Sequence, residues 1–226
     1  VDGFACEVVT RPTSAFTLAP KSWTHAEAAT ITTAGLTAWR ALIDDGNIKA
    51  GDTIVTLGTG GVSIAALQIG KMMGANVIIT SSSDEKLERA KALGADHLIN
   101  YKKHPQWAEQ VMEITEGKGA DHIIELGGPG TLEESANAIK VGGQISLIGV
   151  LTGFEGALPT AQLLFKQVRL QGLLVGNRDQ QQAYIKALET NEVHPVIDNT
   201  FNFEALAEAF EYQLNGSHFG KIVTVW

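Results

Sequence analysis

Gly58, Gly60 and Gly61 stand in TIVTLGTGGVSIAALQIGKMMGANVIITSSSDEK, between a β-branched run and the start of a helical pattern. Glycine reaches backbone angles that other residues resist. It also lets the main chain approach a pyrophosphate, whose charge is favoured at a helix amino terminus. The strict spacing asks for a glycine at 63, where this chain has Ser63. A glycine pattern alone also fits a tight turn that binds nothing. Here the loop follows an expected strand, opens an expected helix and begins a βαβ unit, the context that a dinucleotide loop requires.

The next apolar run, NVIITS, ends in Ser81, Ser82 and Ser83. An NAD-preferring site has a carboxylate near this point to accept the ribose 2′-OH. That carboxylate would repel a 2′-phosphate. Serines remove the repulsion, and Lys86 adds a positive charge one helical turn on. The expectation is therefore NADP(H), with NAD(H) left open. Asp84 counts against it unless it faces solvent. The plainer reading is that the serines cap the helix, with Ser82 and Glu85 forming a capping box. A methyltransferase would place acidic residues before the loop and after the next strand, where this chain has Thr56–Leu57 and Ser81–Ser83. A short-chain dehydrogenase would need Tyr-x-x-x-Lys. Four residues past Tyr101, Tyr184 and Tyr212 lie Pro105, Leu188 and Gly216.

These residues must be positioned by the elements around them. TIVTLG, NVIITS, DHLINY, DHIIEL and QISLIGVL read as strands. Helical patterns lie between them, the one from Thr131 continuing through VGG to residue 143. Strand and helix alternate through short turns, which predicts an α/β fold with a doubly wound parallel sheet and a ligand at its switch point. Further on come a short helix near Leu163, the strand VRLQGLLVG, a helix over Gln180–Leu188, the amphipathic FEALAEAFEYQL and a last strand KIVTVW. Ahead of the sheet, Thr24 and Glu27 mark a capping box, and a helix is expected over Leu36–Asp44.

The chain has 226 residues, of which 44% are hydrophobic and 19% charged, with a formal net charge of −8. Its basic runs never exceed Lys102–Lys103, so a nucleic-acid partner is not expected. No apolar run nears the roughly 18 residues of a membrane span. Cys6 is the single cysteine, which fits a reducing, cytoplasmic setting. His25, His97, His104, His122, His194 and His218 lack metal-binding spacing, and no metal site is expected.

Together, AGLTAWRAL, VTLGTGGVSIAALQIGKMMGA, SSSDEKLERAKALGADHLINY, GGQISLIGVL and HFGKIV resemble the medium-chain dehydrogenase/reductase superfamily. The resemblance is to its zinc-type alcohol dehydrogenase-like and quinone oxidoreductase-like members, and covers nearly the whole chain. It implies a Rossmann fold over residues 31–190. Residues 1–30 would be the end of a GroES-like catalytic domain, most of which is absent, and 191–226 a C-terminal return. It places Gly58, Gly60, Gly61 and Val62 along the pyrophosphate. Ser81, Ser82, Lys86 and Tyr101 fall at the adenosine end. Leu126 and Gly127 lie under the cofactor, Val150 and Leu151 at the nicotinamide amide, and Thr37 on the nicotinamide side. Arg178 and Lys221 are candidate cations for the phosphates. Thr33 stands where zinc members have a cysteine ligand, so zinc is not expected in this chain. The implied activity is hydride transfer between the nicotinamide and a small-molecule substrate: an alcohol or aldehyde, a quinone or an enone. No catalytic residue is assignable within the chain, and this part alone would be inactive. The rival is a dinucleotide-binding or redox-sensing module without turnover. A homodimer joined through VRLQGLLVG is implied as well, since that apolar edge would otherwise be left open.

Overall fold

A computed structural model describes residues 4–226. Six parallel strands form the main sheet, in the order β3-β2-β1-β4-β5-β6. They are β1 (Thr53–Thr56), β2 (Asn76–Ser81), β3 (His97–Asn100), β4 (Ala120–Glu125), β5 (Ile139–Leu147) and β6 (Arg169–Gly172). The chain winds outward from β1 to β3, then returns to lay β4 against the other side of β1. The switch point of the sheet is therefore between β1 and β4.

Neighbouring residues of the central strands enter opposite cores. Ile54, Val77 and Ile124 pack on one face with Ile64, Leu67 and Ile69 of α3 (Gly61–Met72) and Leu87 of α4 (Asp84–Ala92). Val55, Ile78 and Ile123 pack on the other with Trp107 and Val111 of α5 (Trp107–Ile114) and Leu132 of α6 (Leu132–Ala138). A strand covered on both faces reads as a continuous apolar run, which is why TIVT and NVIIT lack alternation. Burying a branched side chain of this kind stabilises by about 1.5–3 kcal/mol, so the two covered faces hold the sheet.

Ahead of the sheet, Thr24 caps α1 (His25–Thr30) in a complete capping box with Glu27. The helix runs on through two π-helical turns, Ile31–Gly35 and Arg40–Asp44, on either side of α2 (Leu36–Trp39). Residues 4–24 hold one short 3-10 helix, Thr13–Ala15, and no strand. Their β-prone pieces find no strand to pair with among the described residues.

Several elements differ from the sequence reading. The helix expected through residue 143 ends at Ala138, and β5 begins at Ile139. Ile139 and Val141 favour extended backbone, and Gly142 has φ +75°, outside the helical range. The cap of α4 is Ser83, whose hydroxyl accepts from the Lys86 amide. Ser82 is therefore not the cap. The strand β7 (Ile197–Asn202) was not foreseen, because Asp198, Asn199 and Asn202 are poor strand formers. It exists by parallel pairing with β8 (Lys221–Val225).

The end of the chain returns to the glycine loop. α7 (Thr160–Phe165), α8 (Arg178–Asn191) and α9 (Leu206–Leu214) complete the helices. The Gly220 amide donates to the Thr59 carbonyl at 2.9 Å, and Gly60 and Gly220 form a parallel bridge.

Candidate functional site

A cleft opens at the carboxyl ends of β1, β2 and β4. Its outer lobe holds about 870 Å³ and its inner lobe about 410 Å³. Leu57, Gly58, Tyr101, Leu126 and Leu151 line both lobes. The size suits a ligand larger than a single small metabolite.

The glycine loop forms one wall. Gly58 has φ +78°, and a Cβ there or at Gly60 would meet nothing within 4 Å. Conformation requires glycine at 58, and the space above both residues is open to a ligand. Gly60 is the N-cap of α3 and offers no side-chain cap. The first amides of α3 thus have no side-chain acceptor, and the helix dipole favours an anion at this end. Ser63 is fully buried, and its hydroxyl donates to the Leu57 carbonyl at 2.7 Å. This bond ties the first turn of the helix to the end of β1, a job that a glycine at 63 could not do.

Ser81, Ser82 and Lys86 line the outer lobe. The Ser81 hydroxyl accepts from the Ser83 amide at 3.3 Å. Lys86 Nζ donates to the Gly216 carbonyl at 2.6 Å, and partial burial holds its ammonium below the usual lysine range. Asp84 is turned away. Its carboxylate accepts from Asn100 at 2.7 Å and pairs with Lys103 at 2.5 Å. The nearest acidic residue to the serines is therefore already partnered outside the lobe.

The floor is organised by Glu125, at the end of β4 and fully buried. One carboxylate oxygen accepts from the amides of Gly127 and Gly128, at 2.8 and 3.0 Å, and from the Thr131 hydroxyl at 2.6 Å. The other accepts from the Ser135 hydroxyl. This one side chain shapes the loop that carries Leu126 and Gly127. Gly149 completes the floor. A Cβ there would lie 2.0 Å from the Leu126 carbonyl oxygen, so only glycine lets the ends of β4 and β5 close together.

Of the residues singled out from sequence, Gly58, Gly60, Ser81, Ser82, Lys86, Tyr101, Leu126, Gly127 and Leu151 come together around the cleft. Others lie outside its lining. Val62 packs against the core. Thr37 is buried, donating to the Thr33 carbonyl at 2.7 Å. Val150 is partly exposed beside Leu151. Arg178 donates to the Phe16 carbonyl at 3.0 Å. Gly61 and Lys221 share a smaller pocket behind the loop, where burial pushes the Lys221 ammonium down. Sequence reasoning missed Glu125, the hydrogen bond made by Ser63, and the wall given by α9 and the turn after it: Phe210, Gln213, Leu214 and His218. For Glu125 a signal existed, in the hydroxyls of Thr131 and Ser135 one helical turn apart.

A parallel sheet in this order, with a glycine-loop cleft at its switch point, defines a Rossmann-type dehydrogenase domain. A family model described as zinc-binding dehydrogenase matches residues 61–190. The chain belongs to this family of alcohol dehydrogenase-like oxidoreductases, within the medium-chain dehydrogenase/reductase superfamily. A zinc-type alcohol dehydrogenase-like protein of Schizosaccharomyces pombe is 42% identical over 98% of this chain and 66% of its own length. A putative alcohol dehydrogenase from Sinorhizobium meliloti shares 47% identity, with a TM-score of 0.87 over 92% of this chain and 60% of that one. An NAD-dependent alcohol dehydrogenase superposes with a TM-score of 0.92 at 35% identity, over 99% of this chain and 66% of the other. The chain thus spans just under two thirds of these proteins. The described residues contain no group of three or more His, Cys, Asp or Glu able to hold a metal ion, and Thr33 is an exposed hydroxyl. No helix among them is long and apolar enough to cross a membrane.

Glu125→Ala is expected to lower stability by about 2–4 kcal/mol, because it strands buried amides and hydroxyls. Glu125→Gln, which keeps an acceptor, loses less. Urea unfolding followed by circular dichroism measures both, and an unchanged Ala variant would refute the role.

Proposed function

We propose that the chain is the cofactor-binding part of an NADP(H)-preferring oxidoreductase. It serves hydride transfer between the nicotinamide and an alcohol or aldehyde, a quinone or an enone. The carrying observation is the uncapped start of α3, which meets an open glycine loop on a two-lobed cleft. The open glycine loop at Gly58 and Gly60 receives the pyrophosphate, and Ser81, Ser82 and Lys86 receive the adenosine ribose. Leu126, Gly127 and Leu151 line the inner lobe. Bound NADP(H) supplies the hydride donor or acceptor. Groups that polarise the substrate are assigned to the part of the protein outside this span.

The preference for a 2′-phosphate rests on the serines, on Lys86, and on an Asp84 already paired with Lys103. Calorimetric titration is expected to show NADPH binding at least about tenfold tighter than NADH, about 1.4 kcal/mol. Lys86→Met removes most of that margin and leaves NADH nearly unaffected. Tighter NADH binding in the unaltered chain would overturn the preference.

We also propose a homodimer through β6. This strand pairs only with β5 in the sheet, and Leu164, Phe165 and Leu174 around it are more than two thirds exposed, at 71%, 79% and 85%. An open edge beside apolar side chains favours pairing with a second copy. Sedimentation equilibrium is expected to give twice the chain mass, and a monomer at micromolar concentration would contradict it.

A further inference from the structure

His218 lies on the turn between α9 and β8 and lines the outer lobe with Ser81, Ser82 and Lys86. Lys86 Nζ is bonded to the Gly216 carbonyl, two residues earlier on the same turn. The ammonium and the imidazole therefore share one corner of the cleft. The turn is anchored just beyond. Phe219 is buried, and the Arg89 guanidinium lies 4.3 Å from its ring centroid.

The imidazole Nδ1 is buried and has no hydrogen-bond partner. A second proton on the ring would leave a buried N–H unpaired, a cost that keeps the free ring uncharged and that a bound dianion would have to offset. That leaves Nε2 as the nitrogen able to meet a ligand. The charges around the ring are mixed. Lys86 from α4 and Lys221 from β8 oppose its protonation, and Asp198 from β7 favours it. Asp198 is already held by Arg89 of α4 at 2.8 Å and by the Tyr212 hydroxyl of α9 at 2.7 Å. Burial first, and Lys86 next, hold the imidazole below its ordinary value. The corner thus presents an ammonium and an uncharged imidazole, with its one carboxylate engaged elsewhere.

We propose that His218 is a further specificity residue of this cleft, donating through Nε2 to the 2′-phosphate of the dinucleotide beside Lys86 and taking up a proton when that dianion binds. This rests on the nucleotide reading given above. A dianion beside the ring favours its charged form. Affinity for the 2′-phosphate is then gained at low pH and lost as pH rises through the value of the bound imidazole. The phosphate's own second ionisation, near pH 6, acts the opposite way but equally in any variant.

The test is titration of the chain and of His218→Gln with 2′,5′-ADP and with 5′-ADP at pH 6.5 and 8.5. Glutamine keeps a neutral donor and cannot charge; a thermal melt confirms that the variant is folded. The unaltered chain is expected to bind 2′,5′-ADP about threefold tighter at the lower pH, the size of gain that a roughly tenfold rise in the proton affinity of the bound imidazole gives near pH 6.5. Binding of 5′-ADP stays within about twofold on the same scale. His218→Gln matches the unaltered chain at pH 8.5 and does not gain at pH 6.5. A gain that persists in His218→Gln, or no gain in the unaltered chain while 2′,5′-ADP still binds, overturns the role of His218 alone. If 5′-ADP binds and 2′,5′-ADP does not, the 2′-phosphate reading fails with it. If neither binds, the nucleotide reading itself fails.

Discussion

The first turn of α3 starts with backbone amides that no side chain caps, and the architecture around it follows from that constraint. A helix end left open in this way calls for water or for an anionic ligand. The sheet supplies the room. β1 and β4 are adjacent, but their connections leave in opposite directions, so a cleft opens where the amides emerge. Ser63 fixes the helix to the end of β1, and Gly220 fixes the loop to the returning chain. The loop is thus held from both sides with its Cβ-free surface toward the cleft.

The rest of the cleft is built to keep that geometry. A fully buried carboxylate is expensive unless every oxygen is satisfied. Glu125 meets the condition through two amides and two hydroxyls, from the turn that follows it and from Ser135 of α6. Its bonds hold the floor of the inner lobe, and Gly149 lets β5 close against it. Across the outer lobe, Phe210 and Leu214 present exposed apolar surface toward the corner that holds Ser82 and Lys86. One wall is polar and cationic and the other apolar, which suits an adenosine with a phosphate on its ribose.

What was legible in the sequence was local. The glycine loop, the serines and Lys86 lie within 30 residues, and their spacing on one βαβ unit carries their meaning. The alternation of elements gave the doubly wound sheet, because strands buried on both faces leave continuous apolar runs. Local reading failed where tertiary contacts decide. The cap moved from Ser82 to Ser83, a one-residue boundary that propensity cannot resolve. β7 needs β8 to exist. Glu125 looked like an ordinary strand end, since its partners come later in the turn. Phe210, Leu214 and His218 reach the cleft only because the chain returns from well over 100 residues away. No period in the sequence marks that return.

The most direct measurement is a crystal structure of the chain soaked with NADP⁺. The pyrophosphate is expected against the glycine loop at Gly58 and Gly60, with the adenosine end between Lys86 and Leu214. A dinucleotide bound elsewhere would contradict this placement, for instance at the opposite, amino-terminal edge of the sheet, where Lys49, Lys140 and Arg169 line a separate pocket of about 230 Å³.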